Sequence, residues 1–159
     1  MKNIKHYIIL TALTYLFSSC SENLDPTPLD YTKIISGNVS KTWSLRSISF
    51  RNAGDPDWKL TEACWSDDAY TFYRDAERKF EFASGSVKCD ALEEKITITD
   101  TWSFINASST LFFVMPLFSD NALPFTVVDI DNNDMVLEFF FNDAGTQSYQ
   151  LKFDLKDEE

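Results

Sequence analysis

The stretch Tyr149-Gln150-Leu151-Lys152-Phe153-Asp154-Leu155 decides the fold class. Tyr149, Leu151, Phe153 and Leu155 fall on one side of an extended chain, and Gln150, Lys152 and Asp154 fall on the other. Only a period of two makes that division; a helical period would mix the two sets around its axis. Just upstream, Met135, Leu137, Phe139 and Phe141 share one face of another strand, and Asn142-Asp143-Ala144-Gly145-Thr146 supplies a turn. The two segments read as a β-hairpin.

Working outward toward the N-terminus, further strands are predicted at 43–50, 58–63, 69–73, 79–83, 97–105, 110–115 and 124–130. Asn52 to Pro56, Ser84-Gly85, Asn106 to Ser109 and Asp131-Asn132-Asn133 punctuate them with turn residues. About nine segments result, with room for one or two to merge. No helical period lasts beyond about two turns after residue 40. A meander of about eight short strands hides its edges best by closing, so the expected fold is all-β, an antiparallel up-and-down barrel. The rival is an immunoglobulin-like sandwich, which would usually place a Trp between its paired cysteines. Here Trp65 directly follows Cys64. Ahead of the strands, Asp30 is placed to cap a short helix through Tyr31, Ile34 and Ile35, with Gly37 to end it.

The chain has 159 residues, 25 acidic against 14 basic, and a formal net charge of -11. With 44% apolar and 15% aromatic residues, it has the composition of one globular domain. The acidity excludes nucleic acid as an expected partner, because a polyanion is repelled. Lys2 and Lys5 form a positive start, the segment from Tyr7 to Phe17 is apolar but too short to span a bilayer, and Ser18-Ser19 precede Cys20.

This ending resembles the lipobox of bacterial lipoproteins. The resemblance implies a signal peptide over residues 1–19, acylation (palmitate) of Cys20 and a membrane partner reached through the lipid anchor. Ser21 in place of Asp implies the outer membrane, on its periplasmic or cell-surface face. The alternative is an ordinary secretory signal cut elsewhere. Residues 20–30, with Pro26 and Pro28, then form an extended tether, and residues 31–159 the barrel domain. Cleavage before Cys20 removes two lysines and no acid, leaving 12 basic against 25 acidic side chains, a net -13. It also removes His6, the only histidine.

If Cys20 carries lipid, Cys64 and Cys89 remain as an even pair in an exported chain, the setting in which disulfides persist. Closing their loop would stabilise the fold by roughly 3 kcal/mol. Two buried thiols are the alternative. A metal site is disfavoured, since zinc wants about four such ligands.

A wider resemblance rests on four segments. They are Lys41-Thr42-Trp43-Ser44-Leu45, Cys64-Trp65-Ser66-Asp67-Asp68-Ala69-Tyr70-Thr71-Phe72, Gly85-Ser86-Val87-Lys88-Cys89 and Thr101-Trp102-Ser103-Phe104. Over about residues 40 to 155 the chain resembles the small lipocalin-like domain of exported lipoproteins of Bacteroidota-type bacteria. That resemblance implies a small antiparallel barrel, a lipid anchor and no established chemistry.

Enzymatic readings fare badly. Without a mature histidine, Ser-His-Asp and Cys-His systems are excluded, as are His-bearing metal sites. Asp67 and Asp68 are adjacent and would point to opposite faces of a strand, so a turn with carboxylates accepting backbone N–H groups is expected. Asp129 to Asp134 begins like a calcium loop, but its sixth and twelfth positions hold Asp134 and Phe140, not Gly and Glu, so a hairpin turn is expected there too. No cofactor and no metal are expected.

The aromatic residues are the suggestive feature. Phe72, Phe82, Trp102, Phe104, Phe113 and Phe139 are the candidates to hold a small hydrophobic ligand in the barrel, with Phe80, Phe141 and Phe153 beside them. A small barrel is either filled by its side chains or holds one small ligand. Phe112, Val114, Val136 and Phe140 lie on the opposite faces of strands that are apolar on both sides, and need cover from the short helix or from a partner. The expected function is a non-enzymatic outer-membrane binding or scaffold module. The alternative is a protein-interaction subunit of a cell-surface complex, with a filled barrel and no ligand.

Overall fold

The computed structural model describes residues 30–61, 64–89, 94–141 and 147–159. The predicted signal peptide, Cys20 and the tether up to residue 29 lie outside the described residues, as does the predicted turn at 142–146.

Among the described residues one helix, α1 (Tyr31–Ser36), precedes ten strands: β1 (Ser40–Asn52), β2 (Lys59–Leu60), β3 (Ala69–Tyr73), β4 (Lys79–Ala83), β5 (Thr97–Thr101), β6 (Ser103–Ile105), β7 (Thr110–Val114), β8 (Ala122–Ile130), β9 (Asp134–Phe141) and β10 (Gln147–Glu158). All pairings are antiparallel, in the order β5-β4-β3-β1-β10-β9-β8-β7-β6, with β2 beside the far end of β1. The first and last long strands pair along nearly their whole length.

The two strands at the ends of this path, β5 and β6, are halves of the one segment predicted at 97–105, bent at Trp102. The first half pairs with β4 and the second with β7. Nine strands on the path are therefore eight runs of chain, and the barrel nearly closes through the covalent chain itself. Trp102 anchors the bend: its backbone N–H donates to Arg78 O at 2.9 Å and its indole Nε1 to Tyr73 O at 3.0 Å.

Three bulges shape the wall, the first at Lys156 of β10, skipped between Thr42↔Asp157 and Trp43↔Leu155. The partners step from Leu45↔Phe153 to Ser47↔Lys152, so Arg46 is the extra residue and the inward set changes parity from Trp43 and Leu45 to Ile48. Arg46, turned outward, reaches Asp154 at 2.7 Å and Asp134 at 3.0 Å. Val128 is the matching extra residue between Val127 and Asp129 in β8. Bulges of this kind bend and coil a sheet, as closure requires.

The helix forms as its caps dictate. Asp30 Oδ1 accepts from Lys33 N at 3.1 Å, and Gly37, at φ 63°, donates its N–H to Lys33 O at 2.9 Å. The helix lies against β1, β3 and β8. Since β10 and β9 separate β1 from β8 in the sheet, a helix touching both sides crosses the barrel end and plugs it. Ile35 is wholly buried, and its carbonyl accepts from Trp43 Nε1 at 2.9 Å. The helix is therefore not the cover for the outer apolar face. Val114, expected on that face, is buried with the core; Phe112 and Val136 are half-buried there, and Phe140 is 56% exposed.

Candidate functional site at the barrel mouth

All six candidate ligand-binding aromatics come together inside the barrel. Phe72, Phe82, Trp102, Phe113 and Phe139 are buried and Phe104 is half-buried against them. Their rings touch one another, directly or through one intermediate ring. Phe72 meets Trp102 at 5.7 Å and Phe113 at 5.4 Å, and Trp102 meets Phe104 at 5.7 Å. Phe113 stacks on Phe125 at 4.5 Å, Phe125 meets Phe139 at 5.1 Å, and Tyr70 joins Phe82 to Phe113 at 5.2 and 6.3 Å. These edge-on and offset contacts are the favoured geometries of packed rings. The rings thus occupy the volume an internal ligand would need.

At the end opposite α1, a cavity of about 120 Å³ remains, lined by Trp65, Asp68, Tyr70, Phe82, Ser84, Ile96, Pro116 and Leu117. Of the six candidates only Phe82 lines it. Next to it Phe118 folds inward after the turn at Met115, packing on Phe139 at 4.6 Å and Tyr149 at 5.0 Å. Asp68 is 7% exposed, and its Oδ1 accepts from Gly85 N at 2.8 Å. Burial first, and then the negative charge of Asp68, push the Tyr70 hydroxyl well above its ordinary pKa.

The floor of this mouth is braced by a clamp between two loops. Cys64 and Cys89 form the disulfide, with Cα atoms 5.1 Å apart. Asp67 Oδ2 accepts from Ser86 N at 2.6 Å, Val87 N at 3.0 Å and Ser86 Oγ at 3.0 Å. The bond from Val87 is the main reason its carboxyl stays below the ordinary range. Side-chain oxygens of Asp67 and Asp68 thus take three successive backbone N–H groups. The expected carboxylate-capped turn is present, but it caps a facing loop rather than itself. A Cβ at Gly85 would land on the Asp67 carboxylate, so glycine is needed there.

Asp131, in the stretch that begins like a calcium loop, closes a hairpin turn. Its Oδ1 accepts from Asn133 N at 2.7 Å and Asp134 N at 2.8 Å. Among the described residues no group of three His, Cys, Asp or Glu side chains is placed to hold a metal ion.

Sequence reasoning missed Trp65, Asp68, Tyr70 and Leu117 as mouth residues. For Tyr70 a signal existed: it alternates with Phe72 on β3 and must share its inward face. Trp65 and Leu117 lie in turns, where no period marks a facing direction. No protein-family model matches the chain, and no curated protein aligns with it significantly.

Proposed function

We propose that the chain is a non-enzymatic outer-membrane lipoprotein, anchored through Cys20, whose ring-filled barrel is a scaffold presenting its mouth for binding. The supporting observation is the asymmetry of the two ends. The chain enters at α1, which plugs one end, while the cavity lies at the other. A tether of about ten residues spans up to about 35 Å, so lipid at Cys20 would attach the domain at its plugged end and leave the mouth clear of the attachment. The ligand is small and apolar or amphipathic, held at Trp65, Tyr70 and Phe82 rather than among the interior rings. Native mass spectrometry of the protein extracted from an outer-membrane-bearing host tests this. An added small-molecule mass is expected, and a consistently bare protein would contradict it.

A second reading is a protein-interaction subunit. It is favoured by Phe140, 56% exposed, and Val128, 52% exposed, on the outer wall. Crosslinking in intact cells separates the two, because a subunit of a complex is captured with its partner through these residues.

A further inference from the structure

The mouth cavity has a chemistry more definite than apolar. Trp65 offers a half-buried ring at the rim, and behind it Tyr70 and Phe82, 1% and 4% exposed and tilted at 59° to one another, line the wall. Asp68, nearly wholly shielded from solvent, brings a carboxylate to the same wall. Ile96, Pro116 and Leu117 complete the rim without a charge. A ring face attracts a cation through its quadrupole, and the attraction grows when water is excluded. A shielded carboxylate adds a Coulomb term that a low dielectric strengthens. The whole molecule, at -11, raises the local concentration of cations and repels anions. The cavity, at about 120 Å³, holds roughly four waters' worth of volume at ~30 Å³ each, well below the ~300 Å³ at which drug-sized pockets begin.

We propose that this cavity binds a small organic cation bearing a group of trimethylammonium size. The inference rests on the mouth-binding reading above and names its ligand class. The probe is choline, set against its uncharged analogue in which a tert-butyl group replaces the trimethylammonium group. Binding is read from the indole N–H of Trp65 in the nuclear magnetic resonance spectrum of the mature domain, assigned with Trp65→Phe.

Choline is expected to shift that signal and to bind at least about tenfold more tightly than the neutral analogue. Asp68→Asn keeps an oxygen to accept from Gly85 and should weaken choline binding by about tenfold. Trp65→Leu, on the turn at the rim, should weaken it similarly while circular dichroism confirms the fold. Equal binding of the neutral analogue would overturn the cation assignment and leave mouth binding intact. Failure of both probes to move Trp65 would overturn the inference, while the native mass measurement decides the broader reading separately. Sedimentation with phosphatidylcholine vesicles would assign the same group to a lipid headgroup; binding of free choline alone assigns it to a soluble cation.

Discussion

Gly85 and Asp67 meet so closely that each fixes the other's identity. Gly85→Ala puts a methyl group onto the Asp67 carboxylate, and overpacking of this kind costs about 1–3 kcal/mol. A lower urea midpoint with an unchanged slope is expected, and an unchanged midpoint would refute the clamp. Asp67 also carries a pH signature. Its carboxyl is held below the ordinary range by the Val87 and Ser86 N–H groups, so the unfolded chain takes up that proton more readily than the folded one. The contribution is therefore full above the unfolded pKa and is lost as pH falls through the lower folded value. Asp67→Asn should be less stable than wild type at pH 7, with the gap closing below about pH 4. Urea midpoints at several pH values measure this; a gap that stays constant would contradict it. Lys41 shows what residue types conceal. Although a lysine, it is 1% exposed, donating to Ile34 O at 3.1 Å, 3.5 Å from Glu158 and 5.0 Å from the Trp43 ring centre. Alternation puts Lys41 on the inward face with Trp43 and Leu45; its residue type, not its period, is what suggested water.

Strands 69–73 and 79–83 could be read to the residue because Tyr70, Phe72, Phe80 and Phe82 alternate without interruption. Alternation fails where the chain bends. Trp43, Leu45 and Ile48 obey no single period, and only the extra residue Arg46 reconciles them. Trp102 keeps its place in the period, so the segment 97–105 reads as straight although it turns from β4 to β7 there. Of the described part of the predicted strand at 58–63, only Lys59 and Leu60 form β2, paired with Phe50 and Ser49. The pairing of Cys64 with Cys89 follows from their parity once export is assumed, and the structure bears it out. Replacing both with Ser should lower stability by about 3 kcal/mol for the 25-residue separation. Chemical denaturation checks it, and a loss under about 1 kcal/mol would mean that the Asp67 clamp alone closes the loop.

As a whole the molecule spends its aromatic residues inside and its acids outside. Phe113 touches rings from β3, β4 and β8, so Phe113→Ala should remove about 3–5 kcal/mol. Calorimetry would show it as a large drop in Tm, whereas a small drop would mean that the interior is loosely filled. The ring count alone favoured a filled barrel but left the residual space unplaced, because a loop tip such as Leu117 announces nothing about what it lines. The plugged end and the open mouth face opposite ways, and the proposed anchor gives that asymmetry a use. The most direct test is the intact mass of the protein purified from the membranes of an outer-membrane-bearing bacterium. The account predicts a chain that begins at Cys20 and carries added acyl mass, with Cys20→Ser released from the membrane fraction. A chain cut elsewhere, or one beginning at Cys20 with no lipid, would contradict it.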